Sequence, residues 1–121
     1  MGISQLKRLD DFISERRAIA EYYLNEFDNA ILPYQHPDTN SSWHLFVVKI
    51  KDRKKCYDKL KKYGIAAQVH YIPVTKQPFH VGSSESVECS VSFYQHALSI
   101  PIYVGLSKKD QLKIVNIMCE V

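Results

Sequence analysis

The sequence has too few glycines and cysteines for several common functional motifs. A glycine-rich phosphate loop needs closely spaced glycines, and this chain has four that lie far apart: Gly2, Gly64, Gly82 and Gly105. Its three cysteines include no Cys-x-x-Cys pair, which excludes a disulfide framework and a zinc finger of the usual spacing. We therefore expect no Walker or Rossmann nucleotide site, and we expect a reducing, cytoplasmic setting.

Long apolar runs and a strong excess of one charge are missing as well. No stretch approaches the roughly 20 apolar residues that a membrane-spanning helix requires. The net charge is +3, which is too small for a typical nucleic-acid-binding domain. The basic residues between 49 and 62 mostly occupy polar positions of a predicted helix, which indicates a solvated face. We expect neither a membrane nor a nucleic acid as a partner.

The length and apolar content predict one domain that comprises residues 1–121. A chain of 121 residues with 45% hydrophobic side chains can bury a substantial core without disulfides or a metal. Apolar residues recur at steps of three and four between residues 3 and 27, which predicts one long amphipathic helix. No capping residue precedes Ile3, so we expect the natural helix to begin upstream of this chain.

The remaining elements predict an α/β two-layer sandwich in which helices cover a small sheet of three to four strands. Residues 43–50 are aromatic and β-branched, which favours a strand. Asp52 and Gly64 bracket a helix at 53–63, and Ser107 with Asp110 begins the last helix. The other predicted elements are a strand at 65–74 that ends near Pro73, a polar loop at 75–86, a helix at 87–98 and an extended piece at 99–103.

The segment with the most chemical interest begins at His70 and Tyr71. The two residues lie where the predicted strand reaches Pro73 and continues into a polar loop, and functional residues are often positioned on such loops. Alternation along a strand places one of the two side chains towards the core and the other away from it. No nucleophile signature surrounds any serine or cysteine.

Several ordered segments give the chain a resemblance to the DegT-type sugar aminotransferases, which are pyridoxal-phosphate enzymes of fold type I. The resemblance extends over nearly the whole chain in the family's order. It is carried by residues 2–10, 13, 16–20 and 22–23, by 43–46, by 64–65, 69–74 and 77–79, and by 98–103, 106–107 and 110–111. Within the family, the chain is most similar to enzymes that aminate UDP-linked 4-keto-6-deoxy sugars, as in pseudaminic acid synthesis.

The resemblance implies that the chain is the small C-terminal domain of such an enzyme. The absent N-terminal domain would hold pyridoxal phosphate, so no catalytic, cofactor-binding or metal-binding residue is expected here, and the isolated chain would be inactive. His70, Tyr71 and Thr75 would contact the nucleotide-sugar substrate. Family members often carry a histidine where Thr75 stands. The parent would be a homodimer that transfers an amino group, with glutamate as the expected donor, to a nucleotide-linked keto-deoxy sugar in surface polysaccharide or glycan biosynthesis.

Two alternatives rest on the same segment. A free-standing α/β binding module would recognise a nucleotide or a protein partner through the loop at 75–86. A small metal-dependent hydrolase would use His70 and His80 as ligands, and it predicts bound zinc or manganese.

Overall fold

The computed structural model describes residues 2–28, 32–80 and 87–120, in which five helices surround one small sheet. The helices are α1 (Gly2–Leu6), α2 (Leu9–Glu26), α3 (Arg53–Lys62), α4 (Glu88–His96) and α5 (Lys108–Cys119), and the strands are β1 (Phe46–Lys49) and β2 (Ala97–Ile100). Single turns of 3-10 helix occupy Val74–Lys76 and Pro78–His80. None of the described helices is both long and apolar enough to span a membrane.

The sheet is antiparallel, and one of its faces carries the core. β1 pairs with β2 so that Phe46 lies opposite Ile100 and Val48 lies opposite Leu98. These four side chains are buried and belong to one apolar cluster with residues of α2, α3 and α5. α5 packs against both α2 and α3. Helices on one face of a small sheet form two layers, which confirms the predicted α/β class.

Side-chain caps define where two of the helices begin. The Asp52 carboxylate accepts a hydrogen bond from Lys55 N at 3.2 Å, and the Ser107 hydroxyl accepts one from Asp110 N at 3.1 Å. Ser107 Oγ also donates to the Asp110 carboxylate at 2.6 Å. Such caps satisfy amides that have no partner within the helix. The predicted starts of α3 and α5 are confirmed.

The prediction of one unbroken helix at 3–27 is wrong at Lys7 and Arg8. The chain forms a turn there, with Arg8 N donating to Gln5 O at 3.0 Å, and α2 begins at Leu9. α1 has no buried residue among those described, so no packing holds it in line with α2. The apolar residues keep their helical spacing across this turn, but those of α1 have no core to pack against. The spacing alone therefore does not keep the helix continuous.

The prediction of a strand at 65–74 is wrong, because this segment forms only one isolated β-bridge. The described sheet has two strands rather than the predicted three to four. Gln68 exchanges two backbone hydrogen bonds with Ser99, at 2.9 and 2.8 Å. Antiparallel pairing would continue with residue 70 opposite Ala97 and residue 72 opposite residue 95. Residue 95 lies in α4, which runs directly into β2, so no strand is available to pair with residues beyond 70.

Candidate functional site

The segment that leaves the sheet after Gln68 carries His70 in a defined position. The His70 Nδ1 atom lies 2.9 Å from the hydroxyl oxygen of Ser99 on β2. Ser99 is 5% exposed, whereas His70 is half-buried. One nitrogen of the imidazole ring is therefore engaged by the sheet, and Nε2 is the nitrogen that remains for another partner.

Tyr71 points away from the core, as strand alternation requires for one member of the pair. Its side chain is 78% exposed. The Tyr71 ring lies edge-on to the His70 ring, with the ring centroids 4.8 Å apart. The peptide bond between the two residues is cis. The pair therefore presents a half-buried imidazole beside an exposed phenol.

Thr75 follows in the first 3-10 turn, and its hydroxyl is the unusual polar atom of this region. Thr75 Oγ1 is buried and has no hydrogen-bond partner among the residues that the structure describes. Buried hydroxyls in proteins are nearly always hydrogen-bonded to protein or ordered water. An atom of this kind marks a place where a ligand or a water molecule would gain a hydrogen bond.

The structure brings His70, Tyr71 and Thr75 together on one open depression of about 720 Å³. Pro73 and Val74 lie between them on the same wall. The opposite wall comes from the chain around α4, and its described lining residues are Val87, Cys89, Ser90, Phe93 and Tyr94. The predicted site residues thus share one surface, and residues 81–86 of the predicted loop lie outside the described residues.

The α4 wall is attached to the rest of the fold by Arg53 at the start of α3. The Arg53 guanidinium lies over the Tyr94 ring, 4.9 Å from its centroid, and also donates to the Tyr94 carbonyl oxygen. Ile50 N donates to His96 O at 2.8 Å, which joins the end of β1 to the end of α4. Sequence reasoning missed this wall because helical spacing at 87–98 does not reveal which element the helix faces.

The described lining of the depression does not supply the groups that hold pyridoxal phosphate. Its described lining residues include no lysine that could form a Schiff base and no carboxylate that could meet a pyridine nitrogen. These residues therefore do not form a cofactor site by themselves. The chemistry they offer is hydrogen bonding through imidazole, phenol and hydroxyl groups, together with apolar contact through Val74 and Phe93.

A second concavity, of about 540 Å³, is lined by Gln68 and Ser99 and by residues at the start of α5. Its polar lining includes His44, Asp110 and Lys113. Asp110 is already engaged by Ser107, and Lys113 Nζ donates to Tyr63 O at 2.8 Å. These contacts give Asp110 and Lys113 structural roles.

The metal-hydrolase alternative receives no support from the described part of the chain. No group of three or more histidine, cysteine, aspartate or glutamate side chains is arranged there to hold a metal ion. His70 Nδ1 faces a serine hydroxyl, and the His80 ring packs edge-on against Phe79 with centroids 5.2 Å apart.

Comparison with known proteins gives consistent matches along the chain. Residues 1–119 match the DegT/DnrJ/EryC1/StrS aminotransferase family. The dTDP-3-amino-3,6-dideoxy-alpha-D-galactopyranose transaminase of Aneurinibacillus thermoaerophilus is 34% identical over 93% of this chain and 32% of its own length. The UDP-4-amino-4,6-dideoxy-N-acetyl-beta-L-altrosamine transaminase of Campylobacter jejuni is 30% identical over 91% of this chain and 32% of its own length.

The fold also matches a solved structure at moderate identity. The crystal structure of DesV from S. venezuelae superposes with a TM-score of 0.87 and 30% identity, covering 95% of this chain and 33% of DesV. The chain thus spans about a third of the length of each of these proteins.

Proposed function

Because the chain belongs to the DegT/DnrJ/EryC1/StrS aminotransferase family, we propose that residues 1–121 form the small C-terminal domain of a nucleotide-sugar aminotransferase. The observation that carries the proposal is the agreement of sequence and fold over almost the whole chain with about a third of DesV. The similar transaminases differ in nucleotide, dTDP or UDP, and in the position of the amino group. The proposed substrate is therefore a class, the nucleotide-linked keto-deoxy sugars.

The activity would belong to a longer protein, of which this chain is one part. Pyridoxal phosphate, when bound, carries the amino group and acts as an electron sink. The described residues of the depression do not supply the lysine and the carboxylate that this cofactor requires. We propose that the large domain supplies them, that the isolated chain is inactive, and that glutamate is the amino donor.

Within that enzyme, the role of this chain would be to bind and orient the sugar nucleotide. The half-buried His70 offers a hydrogen bond, and so does the Thr75 hydroxyl, which has no partner in the part of the chain that the structure describes. The exposed Tyr71 ring offers a flat apolar face. Polar groups of this kind fix the orientation of a ligand in a mostly apolar site. Because Thr75 has no ionisable group, it would hold the substrate without transferring protons.

An exposed apolar surface supports the proposal that this chain contacts further protein. Four large apolar side chains within nine residues are exposed: Tyr71 at 78%, Ile72 at 49%, Val74 at 64% and Phe79 at 92%. These four side chains are close in the sequence, and exposed apolar side chains that cluster on a surface typically mark an interaction site. We propose that the large domain, or the partner subunit of a homodimer, covers this apolar surface.

The test compares three proteins: the longer enzyme, the same enzyme without this domain, and the 121-residue chain alone. Each is assayed for amino transfer from glutamate to a panel of UDP-linked and dTDP-linked 3-keto-6-deoxy and 4-keto-6-deoxy sugars with added pyridoxal phosphate. We expect transfer by the longer enzyme only. Transfer by the isolated chain would refute its inactivity, and no transfer by the longer enzyme to any sugar of the panel would refute the function.

A binding module remains as the second candidate because the depression is built from this chain's own residues. This alternative predicts that the isolated chain binds UDP or dTDP in calorimetry with an affinity that His70→Ala lowers. The aminotransferase proposal instead predicts strong binding only when the rest of the enzyme completes the site.

A further inference from the structure

Ser99 is a buried polar side chain that connects the core sheet to the candidate site. It lies on β2, is 5% exposed, and exchanges two backbone hydrogen bonds with Gln68. His70 follows Gln68 by two residues, and residues two apart on an extended segment lie on the same face. The Ser99 hydroxyl and the His70 ring are thus placed on one side of the sheet, where Oγ lies 2.9 Å from Nδ1.

The direction of this hydrogen bond follows from what each group must satisfy. A serine hydroxyl has one hydrogen to donate and can also accept, whereas Nδ1 of a neutral histidine either donates or accepts. Among the described residues, Nδ1 of His70 is the hydrogen-bond partner of the Ser99 hydroxyl. A buried donor without an acceptor is more costly than an unused lone pair, so the favoured arrangement has Ser99 donating to Nδ1.

We propose that Ser99 is a positioning residue that holds neutral His70 as its Nε2–H tautomer. Because Nδ1 is engaged by the sheet, Nε2 is the ring nitrogen available at the depression that His70 shares with Thr75. His70 then offers a hydrogen-bond donor to an acceptor oxygen of the ligand, such as a sugar keto or hydroxyl oxygen or a phosphate oxygen. The assignment of that ligand rests on the proposed function, whereas the tautomer does not.

Another histidine of the chain provides an internal reference for the opposite tautomer. His96 Nδ1 lies 2.7 Å from Ser92 O, and a carbonyl oxygen only accepts, so neutral His96 carries its proton on Nδ1. His36 is not a second reference, because its exposed Nδ1 atom faces both the Asp38 amide and the Asp38 carboxylate. The proposal predicts that His70 behaves unlike His96.

The first experiment is long-range ¹H–¹⁵N correlation NMR on the 121-residue chain with ¹⁵N-labelled histidine. The pH is raised until the histidine signals no longer change, so that the spectra are recorded on neutral rings. We expect the Nε2–H pattern for His70 in the wild type, and a roughly fivefold loss of tautomer preference in Ser99→Ala. Ser99→Thr, which keeps the hydroxyl, should restore the preference.

An Nδ1–H pattern for His70 in the wild type would overturn the proposal before any variant is made. An unchanged tautomer ratio in Ser99→Ala would overturn it as well, provided that circular dichroism shows that the variant is folded and that the His96 signal keeps its reference pattern. Ser92→Ala serves as the matched control, because it removes an exposed hydroxyl on α4 and keeps the carbonyl that faces His96.

The second experiment measures kcat and KM for the nucleotide sugar in the longer enzyme. We expect Ser99→Ala to raise KM about threefold to tenfold with a smaller change in kcat, and Ser99→Thr to recover most of the loss. An unchanged KM in an active enzyme would overturn the positioning role. An inactive wild-type enzyme would instead refute the proposed function and would leave the NMR result standing.

Discussion

Tyr23 on α2 and Pro101 after β2 are joined by a hydrogen bond of 3.0 Å from the tyrosine hydroxyl to the proline carbonyl oxygen. The Tyr23 side chain is fully buried, and its ring lies edge-on to Phe46 with centroids 5.2 Å apart. This contact joins the long helix to the segment that connects β2 to α5. The hydrogen bond therefore holds two distant parts of the chain together across the core.

Tyr23→Phe should lower the free energy of unfolding by about 1–2 kcal/mol, because it removes the hydroxyl and leaves the Pro101 carbonyl without that donor. Urea denaturation followed by circular dichroism measures this change. Tyr34→Phe is the control, since Tyr34 is 81% exposed and its replacement should alter stability by less than about 0.5 kcal/mol. Equal effects of the two variants would contradict the role given to the buried hydrogen bond.

The same tyrosine predicts how stability depends on alkaline pH. Burial raises the pKa of the Tyr23 phenol above its ordinary value. The folded protein therefore keeps this proton at a pH where the unfolded chain has lost it. The resulting stabilisation is complete below about pH 10, the pKa of an unfolded tyrosine, and is lost as the pH rises towards the folded-state pKa.

Above about pH 10, the wild type should lose up to about 1.4 kcal/mol per pH unit more than Tyr23→Phe does. Denaturation curves for both proteins at several pH values between about 9 and 11 provide the measurement. Other titrating groups are common to both proteins and cancel in the difference. If the difference in free energy of unfolding between the two proteins stayed constant over this range, folding would not change the pKa of Tyr23.

Thr75→Val should separate stability from ligand binding. The substitution replaces a buried hydroxyl that has no partner among the described residues with a methyl group of similar size. The free energy of unfolding should stay the same or rise by up to about 1 kcal/mol. The affinity of the longer enzyme for a UDP-linked or dTDP-linked 4-keto-6-deoxy sugar should fall about threefold to tenfold.

Thr39→Val is the matched control, because the Thr39 hydroxyl donates to His36 O at 2.7 Å. That variant should lose about 0.5 kcal/mol of stability and keep its ligand affinity. If Thr75→Val instead destabilised the chain and left ligand affinity unchanged, the hydroxyl would have a structural role and no part in binding.

Phe79→Ser should reduce association without reducing stability. Phe79 is 92% exposed, so its removal should change the free energy of unfolding by less than about 0.5 kcal/mol. Sedimentation of the isolated chain at increasing concentration should show weaker self-association in this variant than in the wild type. Tyr34→Ser, a similarly exposed position outside the apolar surface, should sediment like the wild type.

Local signals in the sequence are sufficient for the helices that have side-chain caps. Asp52 and Ser107 each bond an amide within three residues, so their effect does not depend on the rest of the fold. The strand at 65–74 could not be excluded in the same way, because its length depends on β2, which is preceded directly by the helix that carries the opposite wall of the depression. Pairing partners are a property of the assembled sheet.

In the candidate site, too, contacts between residues close in the sequence could be predicted, and contacts between distant residues could not. His70, Tyr71 and Thr75 are close in the sequence, and the motif they belong to is recognisable from the order of the residues alone. Ser99 also lies in a segment that carries the resemblance, but the sequence does not indicate its contact with His70, because that contact depends on the pairing of Ser99 with Gln68. The substrate contacts of the three predicted residues remain a prediction.

Because α4 runs directly into β2, the two walls of the depression differ in how well they tolerate insertions and deletions. No loop separates α4 from β2, so a residue inserted between them would displace α4 from the sheet and break its contacts with Arg53 and Ile50. That wall is therefore constrained by stability. The wall at residues 70–75 is attached to the sheet through Gln68 and Ser99. None of residues 70–80 is buried, so we expect changes in the length of this segment to leave the core intact. Among related enzymes, substrate preference is therefore expected to diversify through this second wall.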